Sequence, residues 1–173
     1  MYSRRDPRST DVGGEWIRVN MTWCFSQQQA AAAYSATKET ASPVYVSPFI
    51  GHLDGIGKPG IDLVKNIQRM FVQGDGHVLL LAASIRSLEH LVHCLSIDVD
   101  MITVPSSILS QWAIANFPVV GPPIMHAWAG DSIPYETLDL EQPWELFDLS
   151  HALTTQGIER FAHDYEQALA PAS

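Results

Sequence analysis

The run from Ile17 to Asp54, IRVNMTWCFSQQQAAAAYSATKETASPVYVSPFIGHLD, constrains this chain more than any other. It opens on a short apolar stretch, Ile17 to Phe25, broken by polar residues at alternate places, the spacing of a β-strand. As a strand it sends Asn20, Thr22 and Cys24 to one face and Val19, Met21 and Trp23 to the other. Ser26, followed three places on by Gln29, has the form of a capping box opening the alanine-rich helix behind it. A second strand, Val44 to Phe49, follows Pro43. Strand, helix, strand is the repeating unit of a parallel sheet, because parallel neighbours need a crossover connection.

The polar residues within these strands are the informative ones. A strand covered on both faces is almost wholly apolar. Asn20 and Thr22 depart from that on one strand and Ser47 on the next. A buried amide or hydroxyl needs a partner, so these groups either form a bonded polar layer or are held open for a ligand. Parallel β/α folds place their sites at the carboxyl ends of the strands, which favours the ligand.

In this setting VNMTWCFSQQQA and YVSPFIGHLD resemble the central signature of the transaldolase family, including its fructose-6-phosphate aldolase branch: N-x-T-x-x-F-S, a helix, then S-P-F-x-G-R. LLLAASIRSLEHL resembles the family's strand ending in A-S-x-R, and QGIERFAHDYEQAL its closing helix. The resemblance runs from about Ile17 to Leu169. It implies an α/β fold of parallel β/α units, the second half of a (β/α)₈ TIM barrel with about four strands, plus a C-terminal helix. With 173 residues the chain is short of the ~250 that a complete barrel uses.

Composition agrees with a globular protein: 46% of residues are apolar. The formal net charge of -9 offers no basic footprint for nucleic acid. No apolar run approaches the ~20 residues of a membrane span, and the start lacks the apolar core of a signal peptide. A soluble cytoplasmic protein is expected, with Cys24 and Cys94 as free thiols. Residues 1–16 read as a flexible polar leader, and 17–173 as a partial barrel domain. Helices are expected at Ser26–Ala36 and Ile61–Val72, over the stretch where Leu88, Leu91, Val92 and Leu95 recur, and after a capping Ser106. Strands are expected at His77–Ala83 and Met101–Pro105, a loop at Gly51–Gly60, an extended connector at 117–143, and a closing helix at 149–169 with an apolar stripe.

The resemblance assigns roles residue by residue. Asn20 corresponds to the amide that bonds the reaction intermediate, and Thr22 to the hydroxyl that holds the catalytic water. Ser47 corresponds to a serine on substrate hydroxyls, Phe49 to an aromatic that separates transferase from aldolase, and Arg86 to the phosphate-binding arginine. His52 stands where the family has arginine, and Asp54 beside it is placed to orient the ring. The implied activity is a Schiff-base aldol transfer of a dihydroxyacetone unit between sugar phosphates, of the pentose phosphate type, with no cofactor and no metal. His90, His93 and Cys94 have helical spacing but no closing ligand set, and read as surface histidines. His126, near Trp128, falls in the connector.

The family's nucleophilic lysine has no counterpart here. Arg5 to Thr10 is a poor match to its K-x-P-[AS]-T motif, and Lys38, Lys58 and Lys65 read as solvated. Three readings follow. The chain is a piece of a longer product or a half that assembles, with itself or with a lysine-bearing barrel half. Or it is an inactive sugar-phosphate binder or regulator. Or it is an unrelated open α/β domain, which a non-consecutive strand order would reveal.

Overall fold

The computed structural model describes residues 18–40, 42–119 and 131–169. The leader, and the part of the connector that carries His126 and Trp128, lie outside the described residues. The elements are β1 (Asn20–Cys24), α1 (Gln27–Ala36), β2 (Val44–Pro48), α2 (Ile50–Asp54), α3 (Gly60–Phe71), β3 (Val78–Ala82), α4 (Leu88–Ser96), β4 (Met101–Ile102) and α5 (Ser106–Ile114). A single 3₁₀ turn at Trp144–Leu146 precedes the last helix, α6 (Ala152–Leu169). The four strands are all parallel and lie in the order β1-β2-β3-β4. Consecutive order is that of neighbouring strands in a β/α barrel, not the non-consecutive order that would reveal an unrelated open α/β domain.

Burial separates the two faces of the sheet. Val44, Val46, Val78 and Leu80 pair in register and are buried beneath the helices. Their alternates Tyr45, Leu79 and Leu81 are only half-buried. The helical side therefore forms the core, and the opposite side is the bare inner face of a part-barrel. α1 reaches this core through Ala30, Ala31, Ala32 and Ala33, whose short side chains let its backbone approach the sheet closely. α3 contributes Ile61, Leu63, Val64, Ile67 and Met70, the apolar side expected from its spacing.

The capping box forms as read. Ser26 Oγ accepts from Gln29 N–H at 3.1 Å, and Gln29 Oε1 accepts from Phe25 N–H at 2.8 Å. Beyond Ile133 the connector lies against α1 and α3. Gln27 Nε2 donates to the Glu136 carbonyl at 2.9 Å, and Glu136 N–H donates to Gln27 Oε1 at 2.8 Å. Asn66 Nδ2 reaches the Ile133 carbonyl at 3.0 Å.

Several sequence expectations change. The loop after β2 begins with a helical turn, α2, because Ile50 and Gly51 N–H bond the Ala83 and Ser84 carbonyls and start it. Pro105, not Ser106, occupies the N-cap of α5, with no side-chain bond. β4 is limited to Met101–Ile102, although Thr103 N–H still donates to the Ala82 carbonyl at 2.9 Å. His90 and His93 are not surface residues: they are 8% and 1% exposed, on the side of α4 that packs inward. The stripe of α6 is not core. Ile158, Phe161, Tyr165 and Leu169 are all more than half exposed, and only Gly157 of that helix is buried.

Candidate functional site

The carboxyl ends of β1, β2 and β3 meet at one rim. Phe49 bridges Ala83 and donates its N–H to the Cys24 carbonyl at 3.2 Å, so three strand ends are tied together through one residue. β1 arrives there through a bulge. Its register with β2 advances by three residues from Met21 to Cys24, against two from Val46 to Pro48, and Trp23 sits at φ 56°. The extra residue inverts the end of the strand. Cys24, expected on the face of Asn20 and Thr22, is buried on the opposite one, and Trp23 is swung to the rim.

There the indole stacks on Phe49, with centroids 5.3 Å apart, and meets the edge of His52 at 5.0 Å. Phe161 of α6 closes on its far side at 5.3 Å. His52 Nδ1 lies 2.9 Å from Ser84 Oγ. Ser84 holds φ 60°, a left-handed turn that lifts its hydroxyl toward the ring while Ile85 turns into the core. Burial first, then the positive charges of Arg86 and Arg160, push His52 below its ordinary pKa, so the ring is neutral at neutral pH.

Asn20 and Ser47 are joined on the inner face, with Ser47 Oγ donating to Asn20 Oδ1 at 2.8 Å. That leaves the Asn20 amide N–H groups directed elsewhere. Thr22 is exposed on β1, the outermost strand among the described residues. It lines a cavity of about 390 Å³ with Trp23, Ala36, Val46 and Thr154. A second cavity, about 290 Å³, lies at the ends of β3 and β4 between Ser84, Ile85, Thr103, Val104 and Pro105.

Arg86 leaves the end of β3 and lies along α2. A methyl group built on Gly51 would stand 2.4 Å from Arg86 Cδ, and one on Gly55 would stand 3.6 Å from its Nη1. Gly51 thus makes the room for the arginine stem, while Gly55 is only in ordinary contact with the guanidinium. The Asp54 carboxylate meets His90 Nε2 at 2.9 Å and accepts from Gly60 N–H at 2.9 Å. The ring that Asp54 orients is therefore that of His90, while His52 is positioned by Ser84 and the aromatic rings around it.

The lysines are distributed over the helical side. Lys38 pairs with Glu141 at 2.7 Å, Lys65 lies 3.9 Å from Asp62, and Lys58 is exposed on the loop before α3. Among the described residues no cluster of three His, Cys, Asp or Glu side chains is arranged to hold a metal. No helix among them is long and apolar enough to cross a membrane.

Sequence reasoning missed Ser84 and His90. Ser84 stands in the very A-S-x-R words that drew attention to Arg86, and His90 lies four residues beyond the arginine on a capped helix. Gly51 and Gly55, at helical spacing, also signalled a close approach.

The fold is a parallel β/α part-barrel, with Phe49, His52 and Ser84 gathered where its strands end, Arg86 leaving the end of β3, and Asn20 and Ser47 bonded on the inner face. The sequence model of the Transaldolase/Fructose-6-phosphate aldolase family matches residues 11–172, and the chain belongs to that family. It is similar to a probable transaldolase of Maricaulis maris, at 40% identity over 95 residues, covering 55% of this chain and 42% of the relative. A probable transaldolase of Parabacteroides distasonis is 43% identical over 91 residues, 53% of this chain and 39% of the relative. One of Exiguobacterium sibiricum is 32% identical over 154 residues, 89% of this chain and 53% of the relative. The chain spans about half the length of the curated relatives it matches.

Proposed function

We propose that this chain supplies the substrate-holding rim of a transaldolase-type site, acting on a phosphorylated ketose. The observation that carries the reading is the bond between Ser47 and Asn20 on the inner face of adjacent parallel strands. Neither strand needs a polar pair for its own packing, and a cross-strand amide and hydroxyl suit a polyhydroxylated ligand. In this reading Asn20 bonds the intermediate, Thr22 holds the water that moves a proton, and Ser47 takes a sugar hydroxyl. Phe49 and His52 wall the acceptor side, and Arg86 binds the phosphate as a planar, permanently charged donor. His52 is a neutral hydrogen-bonding partner where the family has a second cation, which shifts the preference toward the sugar hydroxyls.

The chemistry is Schiff-base aldol transfer. A lysine amine attacks the ketose carbonyl and water leaves. The carbon–carbon bond then breaks to release an aldose phosphate, leaving a three-carbon enamine for the acceptor. In this reading the amine comes from a strand paired to the free edge of β1. Borohydride trapping with fructose 6-phosphate tests it, on the chain alone and mixed with a lysine-bearing barrel half. A reduced adduct in the mixture supports transfer chemistry; no adduct in either counts against it.

A second reading is favoured by the lysine positions. Lys38 sits in an ion pair on the turn after α1 and Lys65 in one on α3, which suits a sugar-phosphate-binding or regulatory relative that lacks turnover. It predicts stabilisation by fructose 6-phosphate that is lost in Arg86→Ala and no aldol product. Stabilisation that survives Arg86→Ala would leave this reading without support.

A further inference from the structure

Arg86 is held at both ends by one helical turn. Its stem lies against Gly51 of α2, where any side chain would collide with it, and its main chain is tied to the same turn by a different route. Arg86 N–H donates to His90 Nδ1 at 3.3 Å. A main-chain N–H can only donate, so Nδ1 is the bare nitrogen and the ring proton sits on Nε2. Nε2 then donates to Asp54 Oδ2 at 2.9 Å, and Asp54 Oδ1 receives Gly60 N–H. The Asp54 and His90 side chains are only 22% and 10% exposed. The chain of bonds thus runs from the start of α3, through α2 and the interior face of α4, to the backbone of the arginine.

We propose that Asp54 and His90 are positioning residues for Arg86, fixing its main chain so that the guanidinium is presented at the rim in one geometry. The proposal rests on the reading of Arg86 as the phosphate-binding residue and adds what sets its position. An exposed arginine on a free loop end would sample many rotamers, and ordering it on binding would cost affinity. Holding the amide and channelling the stem removes much of that cost beforehand. The carboxylate fixes the tautomer that leaves Nδ1 free to accept, as carboxylates do for histidines whose other nitrogen has a task.

Two measurements on the full chain test this. Hydrogen exchange at the Arg86 amide and at its Nε–H is read by NMR without ligand, and fructose 6-phosphate affinity is read by calorimetry. His90→Gln keeps a donor toward Asp54 and removes the acceptor of the Arg86 amide. It is expected to speed exchange at both sites and to weaken binding about tenfold, the scale of one lost hydrogen bond. His90→Asn, whose carbonyl oxygen falls near the position of Nδ1, restores most of both. Asp54→Asn loosens the ring and gives an intermediate effect. Val92→Ala, on the same helix, lowers Tm without changing either readout.

Exchange at Arg86 that is the same in His90→Gln as in the unaltered chain overturns the proposal, whatever calorimetry shows. Binding lost in Arg86→Ala but unchanged in His90→Gln overturns it while leaving the sugar-phosphate reading in place. Binding unchanged in Arg86→Ala removes that reading instead, and the exchange measurement then decides the positioning role by itself.

Discussion

Gly157 of α6 lies against the indole of Trp23 so closely that a methyl group at 157 would stand 2.5 Å from the ring. It is one of several contacts between this largely exposed helix and the end of β1: Phe161 packs on the same indole, and Thr154 Oγ1 donates to the Trp23 carbonyl at 3.2 Å. Gly157→Ala would favour helix by up to about 1 kcal/mol. The overlap with a large, half-buried ring costs about 1–3 kcal/mol, so docking loses. The expected result is a helical α6 that has left the rim: unchanged far-UV circular dichroism and a red-shifted, more quenchable Trp23 emission. Emission identical to that of the parent chain would mean that the contact is not what holds α6.

The depressed pKa of His52 comes from burial first and, in smaller part, from the charges of Arg86 and Arg160. Removing one of them in Arg86→Ala is expected to move the His52 pKa up toward its ordinary value of 6.5. Because the folded value is depressed, the contribution of this ring to stability is present above pH 6.5 and is lost as pH falls through the lower folded value. Histidine-selective NMR titration of both proteins measures the difference. A His52 titration that ignores the substitution contradicts the placement of the guanidinium beside the ring.

Gln27 is buried on α1, and its amide makes a two-way bond with the backbone of Glu136. Gln27→Leu keeps the volume and leaves a main-chain donor and acceptor unpaired, a loss of about 1–3 kcal/mol. Urea unfolding gives the magnitude, and faster exchange at the Glu136 amide localises it. A lower midpoint with unchanged exchange at Glu136 would place the damage elsewhere.

Asp75 anchors the turn before β3. Burial acts to raise its pKa, but hydrogen bonds from the His77 ring, the His77 amide and Tyr34 outweigh burial and bring it to about 2. Its stabilising effect is therefore present above pH 3.8 and is lost as pH falls from 3.8 toward 2. Much of the carboxylate is solvent-exposed, so screening keeps the effect small. Acid unfolding of Asp75→Asn should lack this component, which a comparison of midpoints at pH 5 and pH 3, both about one to two units from the ordinary value, will show.

Cys24 and Cys94 are buried, and burial pushes both thiols up to about 12. Neither is expected to react with a thiol reagent at pH 8 until the chain is unfolded. Rapid labelling under native conditions would show that β1 or α4 opens locally.

Much of the frame was legible because the relevant signals are local. Val44–Pro48 and α3 announce themselves by period, and the Ser26–Gln29 cap by chemistry. Family words placed Asn20, Ser47 and Arg86, and the fold brings Asn20 and Ser47 into contact. What could not be read was set by tertiary geometry. The bulge at Trp23 reverses two side chains without any glycine to mark it. α2 forms where glycines suggested a loop, because carbonyls from the end of β3 satisfy its first amides. His90 and His93 carry a polar residue type on an inward face, and composition alone sends such residues outward.

The pairing of Gln27 with Glu136 has a kinetic consequence. The two residues are 109 positions apart, and the amide that receives the connector is presented in the right place only once α1 is wound and seated on the sheet. Closing so long a loop is entropically unfavourable until a rigid acceptor exists. The connector therefore docks late in folding and leaves early in unfolding. Until it does, the part of α1 that the connector covers, Gln27 with it, stays open to water.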